Sequence, residues 1–139
     1  MLLFLLLNNI TMKINLIHGI VAGILSAIAS VVYLNIYQNL NFVDFSSILN
    51  TGSIIGASLF GCMLMASGYM LLTKLDKPKL KGALNSIIAI LSILSIFSPL
   101  LMDLPLELDF PELFPALSIP MHLFPAMIFF GLEPFFNGK

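Results

Sequence analysis

The composition of this chain excludes an ordinary water-soluble domain. It has 139 residues, of which 59% are hydrophobic and 9% are charged, whereas soluble domains carry about 25% charged residues. The net charge of −1 gives no clustered basic face, so no nucleic-acid partner is expected. Cys62 is the only cysteine, which excludes an intrachain disulfide and the membrane enzymes that use cysteine pairs.

The first segment, residues 1–11, is apolar but too short to cross a bilayer. It lacks the positive start and the small-residue cleavage site of a secretory signal. Met12 followed by Lys13 has the appearance of a more natural start. We therefore expect residues 1–11 to be an extension from a misplaced start codon, or a short interfacial lead-in to the first span, and residues 12–139 to form a single domain.

Four longer apolar segments follow and predict the fold. They cover about residues 14–37, 51–75, 82–102 and 119–136. At 1.5 Å per residue the first is about 36 Å long, which is enough to cross a hydrocarbon layer of about 30 Å. Inside lipid each segment must satisfy its own backbone hydrogen bonds, so helices are expected. Short connections make consecutive helices antiparallel, and the predicted fold is an all-α, integral membrane, antiparallel four-helix bundle.

The basic residues predict the orientation of that bundle. All six are lysines, and every one falls on the same side of the four spans. Cytoplasmic loops are enriched in lysine and arginine, so the loop from Lys74 to Lys81 and both termini are expected in the cytoplasm. This predicts an N-in, C-in protein of a bacterial cytoplasmic membrane. The acidic residues expected on the outer side are Asp44, Asp103, Glu107, Asp109 and Glu112.

Small residues predict where the helices pack, because apolar side chains gain nothing by leaving lipid for protein. The first span carries Gly19, Gly23 and Ala27 at helical spacing. The second carries two such series, and the third has a polar and small stripe. These patterns predict close contacts among the first three spans, with a homo-oligomer face as the alternative. The residues of the second and third spans are Gly52, Gly56, Ser53, Ala57, Gly61, Asn85, Ala89, Ser92 and Ser95.

Ionisable side chains within spans are candidates for function, because burying them is costly. His122 lies near the outer end of the fourth span and His18 near the inner end of the first, so a shared metal is not expected. For both, the simpler interpretation is a neutral imidazole, bonded in the case of His122 to a backbone carbonyl or a lipid headgroup. The alternative makes His122 a ligand-binding or proton-handling residue, on a polar path with Asn85, Ser92 and Ser95.

The remaining polar segments carry weaker predictions. Glu133 is expected at the inner interface, and Cys62 is expected to pack as a small hydrophobic residue. In the outer loop, prolines recur every six residues and Asp103 and Asp109 follow them at the same offset. Six residues make two turns of polyproline II, so these acids would share one face of a lid on the membrane surface. The alternative is a loop that holds an external partner or a divalent cation. No catalytic, cofactor-binding or metal-binding motif is present, and the chain is not expected to be an enzyme.

Three short motifs carry a resemblance to a known group. They are the opening from Lys13 to Gly23, the sequence Ser98-Pro99-Leu100 and the pair Met121-His122. In these the chain resembles small bacterial four-helix membrane proteins that have no assigned activity. We therefore expect a non-enzymatic accessory, scaffold or oligomeric membrane module, whose partners are the lipid bilayer and either a second copy or another membrane protein. The alternative is a small transporter or channel.

Overall fold

The computed structural model describes residues 2–105 and 107–137, and that part of the chain is helical, without strands. Side chains are described for residues 8–105 and 107–136. Short 3-10 turns at Pro78–Leu80 and Pro111–Leu113 precede the third and fifth helices. The helices are α1 (Leu2–Asn41), α2 (Thr51–Lys74), α3 (Lys81–Leu94), α4 (Phe97–Leu100) and α5 (Phe114–Asn137).

The described residues contain four helical segments that are long and apolar enough to cross a membrane. The second coincides closely with its predicted interval, because Asn50 begins α2 by accepting a hydrogen bond from the Ser53 amide at 2.7 Å. Lys74 ends it, where a positive charge offsets the helix dipole. The segments are Asn8–Asn41, Thr51–Lys74, Pro78–Leu100 and Pro111–Phe136.

The first and last long helices begin earlier than the sequence predicted. Helix α1 runs without interruption from Leu2, because residues 2–13 contain no proline or glycine to end it. Residues 2–11 are therefore continuous with the first span, while the natural start stays a prediction. Helix α5 begins at Phe114 rather than at residue 119. Pro115 lies in its first turn, where the missing N–H would have no helical acceptor.

The packing differs from the predicted contacts among the first three spans. Helix α1 packs along both α2 and α5, whereas α3 makes no close backbone approach to α1 in the described residues. Gly19 and Gly23 lie against α2, where added Cβ atoms would be 2.6 Å from the Ala66 Cβ and 2.9 Å from a Leu59 methyl. The predicted contact between α1 and α3 is wrong, because the polar stripe on α3 faces α2 and α5 instead.

Two groups of buried side chains hold the helices together. The middle core lies among α1, α2, α3 and α5, and it includes the fully buried Cys62 and Phe129. The second group, the acidic-loop core, lies near the other end of α1, under the acidic loop of residues 101–113, and includes Phe45, Phe114 and Leu117. At the edge of this second core, the hydroxyl of Tyr33 donates to the Ala116 carbonyl at 3.0 Å. Pro120, four residues later, has no N–H to bond that carbonyl.

The acidic loop folds as a cover but not as a continuous polyproline helix. Leu104 and Leu108 pack against the acidic-loop core, while the acidic side chains at 103, 107, 109 and 112 are exposed. A turn closed by the Leu108 amide on the Pro105 carbonyl interrupts the extended chain. In the α1–α2 connection, the exposed Asp44 accepts a hydrogen bond from the Ser46 amide at 2.8 Å. Hydrogen bonds from Ser46 lower the pKa of Asp44.

Candidate functional site

A cleft separates α2 from α3, with α5 beneath it. Its volume is about 560 Å³, within the range of small-molecule sites. The α2 wall presents small side chains, Ser53, Ala57 and Gly61. Leu64 and Leu91 stand on opposite walls and are 62% and 59% exposed. The cleft is therefore an apolar groove that opens sideways between two candidate spans.

A helix break brings polar atoms into this cleft. The third span was predicted to be continuous, but α3 ends at Leu94 and α4 begins at Phe97. In a regular α-helix the Ile96 amide would donate to the Ser92 carbonyl, but here it donates to the Ile93 carbonyl. The Ser95 hydroxyl donates to the Ser92 carbonyl instead, at 2.7 Å. Pro99 favours the break because it has no N–H to bond the Ser95 carbonyl, which accepts from the Ser98 amide.

His122 on α5 meets this break from the other side of the cleft. Its Nδ1 lies 3.3 Å from the Ser95 Oγ. The single Ser95 hydroxyl proton is directed to Ser92, so Nδ1 must carry the proton and donate to Oγ. The Nε2 lone pair is then an acceptor, and within the described residues it has no hydrogen-bond donor. The structure thus assembles the predicted residues Ser92, Ser95 and His122 at one place in the cleft.

Ser30 of α1 contributes a polar atom that the sequence analysis did not select. It lines the cleft with 1% of its surface exposed, and its Oγ has no hydrogen-bond partner. A buried polar group without a partner costs about 1–3 kcal/mol. Ser58 and Ser118 line the cleft as well. The signal available in the sequence was the pair Ser26 and Ser30, which recurs at the spacing of one helix face.

Asn85 does not belong to the cleft. Its Oδ1 accepts a hydrogen bond from the Tyr69 hydroxyl at 2.7 Å, and it does not line the cavity that holds His122. Asn85 precedes Ser92 by two helical turns, or about 10 Å along α3. The predicted polar path is therefore divided, since Asn85 lies nearer the lysine loop (residues 74–81) than Ser92, Ser95 and His122 do.

The predicted packing residues separate into two groups. Ala27 is buried, and with Gly19 and Gly23 it lies in the α1 helix that packs along α2. Gly61 lines the cleft, where an added Cβ would lie 3.8 Å from Pro125. Gly52 and Gly56 were predicted to pack against another helix, but they are exposed and contact no other helix in the described part of the chain. An added Cβ at Gly56 would meet nothing within 4 Å, because this part of α2 turns away from its neighbours.

A second polar group lies near the lysine loop and contains His18 and Glu133, which were both expected near the inner ends of their spans. His18 is fully buried and its Nε2 donates to the Phe129 carbonyl at 2.9 Å. Its ring stacks on Phe129 and Phe136, with centroids 4.1 and 5.0 Å away. Glu133 pairs with Lys81 at 2.5 Å, so its predicted interfacial position includes an ion pair. Tyr69 of α2 contacts both His18 and Lys81, so side chains from all four candidate spans meet near this end.

The middle core separates the cleft from this polar group. Met65 and Ile88 line the cleft, while Tyr69, another member of the same core, lines a second cavity beside the lysine loop. In the described residues, the middle core therefore lies between the two cavities. The same residues contain no group of three or more His, Cys, Asp or Glu side chains placed to hold a metal ion.

Comparison with known proteins gave no relative. No protein-family model, no curated protein and no solved structure matches this chain.

Proposed function

We propose that the protein is an antiparallel four-span protein of a bacterial cytoplasmic membrane with both termini in the cytoplasm. The contacts between α1 and α5 support opposite directions for these helices. Tyr33, late in α1, bonds Ala116 early in α5, while His18, early in α1, bonds Phe129 late in α5. The lysine loop lies beside the start of α1, since Asn15 reaches Thr73 in the last turn of α2. This agrees with the one-sided distribution of lysines.

Its proposed role is that of a non-enzymatic accessory module that holds an amphipathic, membrane-soluble molecule in the cleft. One observation carries this proposal: an apolar groove between two candidate spans is lined by His122, whose contact with Ser95 uses Nδ1 and leaves Nε2 as an acceptor, and by Ser30, whose buried Oγ has no partner. A hydroxyl group of a bound molecule would donate to the imidazole nitrogen and accept from the serine. Its hydrocarbon part would lie along Leu64 and Leu91 and continue into lipid. The exposed Gly52 and Gly56 leave α2 a surface for a second copy or a membrane-protein partner.

A transporter of such a molecule is the second candidate, and the broken third span favours it. Broken helices within membranes occur where they line a cavity or a binding site, and the break at Ser95 lies on the cleft. The middle core interrupts the way to the lysine end. Transport would therefore require α3 to move relative to α2. The contacts that this motion would change include Leu84 at Gly68, Asn85 at Tyr69 and Lys81 at Glu133.

The experiment compares two probes that differ in one hydrogen-bond donor. 4-Octylphenol carries a hydroxyl, whereas 4-octylanisole has the same ring and chain but a methyl ether. With the protein in lipid nanodiscs, thermal unfolding should shift more with the phenol than with the anisole. His122→Phe and Ser30→Ala should each weaken the phenol effect by up to about tenfold in apparent affinity, the value of one lost hydrogen bond.

Ser67→Ala serves as the matched control. Ser67 is exposed on α2, and its hydroxyl bonds only its own helix at Met63. It should leave the difference between the probes unchanged. Equal shifts with phenol and anisole, or an unaltered phenol shift in both cleft variants, would contradict the proposal. Flux of 4-octylphenol across proteoliposomes that His122→Phe abolishes would favour the transporter over the accessory module.

A further inference from the structure

The second cavity lies at the lysine end and is separate from the cleft. Its volume is about 610 Å³. Residues of α1, α2 and α5 line it, together with the connection between α2 and α3 and the first residue of α3. Ile14, Leu72 and Phe135 supply apolar wall, while Asn15, Asp76 and Lys81 supply polar groups. An amphipathic cavity beside four lysines is suited to the region where lipid headgroups meet hydrocarbon.

The buried side chain of Asn15 is the evidence that this cavity binds a polar ligand. Only 2% of its surface is exposed, and its Oδ1 has no hydrogen-bond partner. The Thr73 hydroxyl donates to the Tyr69 carbonyl at 3.0 Å. Its oxygen can then only accept from the Asn15 Nδ2, which lies 3.3 Å away. This network turns the Asn15 carbonyl oxygen to a position where nothing in the described part of the chain donates to it.

The charges around this cavity indicate which chemical group would complement it. Lys81 pairs with Glu133, so its positive charge is already matched. Asp76 lines the same cavity, and within the described residues no cation forms an ion pair with it. The cavity therefore presents one unmatched carboxylate and one buried carbonyl acceptor. A primary ammonium group has a positive charge and three N–H donors, which is the complement of these two groups.

We propose that this cavity binds the ammonium group of a phosphoethanolamine lipid. The ammonium donates to the Asn15 Oδ1 and faces the Asp76 carboxylate. The lipid phosphate faces the lysine loop, and the acyl chains follow the apolar wall into the bilayer. A lipid is favoured over a soluble amine because the same cavity has apolar walls and lies beside a basic loop. This inference rests on residues outside the cleft and does not depend on the role proposed for His122.

The experiment is native mass spectrometry of the full protein released from detergent with defined lipids. Phosphatidylethanolamine and phosphatidylcholine share the phosphate and acyl chains, but the quaternary amine of the second has no N–H donor. Phosphatidylethanolamine should be retained at least tenfold better. Asn15→Ala and Asp76→Asn should each reduce that preference, the first by about tenfold, as expected for a lost bond to a charged donor. Asp76 lies in an exposed loop, where Asp76→Asn should not disturb folding. This variant therefore tests the site even if Asn15→Ala impairs folding.

Asn35→Ala is the matched control. It lies on α1 as Asn15 does, but its side chain is exposed and bonds only the Val31 carbonyl of its own helix. It should preserve the preference for phosphatidylethanolamine. Equal retention of the two lipids, or an unchanged preference in both cavity variants, would overturn the proposal. Displacement of phosphatidylethanolamine by an equal concentration of n-octylamine would overturn the assignment to a lipid.

Discussion

The contact between α1 and α2 predicts opposite effects for the same substitution at two glycines. An alanine Cβ at Gly19 would lie 2.6 Å from the Cβ of Ala66 and 3.2 Å from the Cys62 carbonyl oxygen. Carbon atoms in contact are normally about 3.5–4.0 Å apart. Neither neighbouring atom can rotate away, since one is a first side-chain carbon and the other is backbone. The two helices would have to separate by about 1 Å to restore ordinary contact.

The expected magnitude follows from two competing effects. Overpacking of a well-packed contact costs about 1–3 kcal/mol, whereas replacing glycine by alanine within a helix gains about 1 kcal/mol. Gly19→Ala should therefore lower the free energy of unfolding by up to about 2 kcal/mol. Gly56→Ala gains helix propensity in open space, so it should be neutral or stabilising. The difference between the two variants isolates the contact between the helices.

The assay is reversible unfolding in mixed micelles, followed by circular dichroism as the denaturing detergent is increased. Ala66→Gly should partly rescue Gly19→Ala, because it removes the atom that the new methyl group meets. A double-mutant cycle then measures the interaction. Equal unfolding curves for Gly19→Ala and Gly56→Ala, with no coupling to Ala66→Gly, would refute the reasoning. Gly23→Ile should be more damaging than Gly19→Ala, since a Cβ there lies 3.0 Å from the Leu59 Cα.

Two further predictions concern α5 and the orientation. Tyr33→Phe should destabilise the fold by about 0.5–1.5 kcal/mol by leaving the Ala116 carbonyl without its donor. In a Pro120→Ala background the restored backbone N–H should reduce that loss; equal losses in both backgrounds in the same unfolding assay would contradict this account. In a variant without the native cysteine, Asp109→Cys should react with a membrane-impermeant maleimide in intact cells, and Lys77→Cys should react only after permeabilisation. The reverse pattern would contradict the N-in, C-in orientation.

Much of the architecture could be predicted because the long apolar stretches of the sequence leave few choices of fold. Apolar stretches of this length can only be helices in lipid, and the helices appear where the hydropathy placed them. Their boundaries were less predictable at the prolines. Pro115 was interpreted as lying before the fourth span, yet it fits the first turn of α5. Pro99 was expected near the end of a continuous third span, yet that span breaks before it, at Ser95.

The candidate site was predicted only in part. Ser92, Ser95 and His122 meet in the cleft, but Asn85 bonds Tyr69 elsewhere. Ser30 and Asn15 were missed, although both leave a buried polar atom without a partner. Periodicity places residues on one face of a helix, but it does not say which neighbouring helix that face meets. In lipid the outer side chains are as apolar as the inner ones, so hydropathy does not separate the two faces.

The sequence by itself determined the number of apolar segments long enough to cross a membrane and the one-sided distribution of the lysines. These follow from composition and order along the chain, since lipid demands apolar helices and cytoplasmic loops favour positive charge. Only the tertiary structure decided that α3 stands apart from α1, that a cleft opens at His122, and that Asn15, with a buried oxygen that has no partner, lines a second cavity. Those outcomes depend on close contacts such as that of Gly19 with Ala66, which set the rotation and separation of each helix.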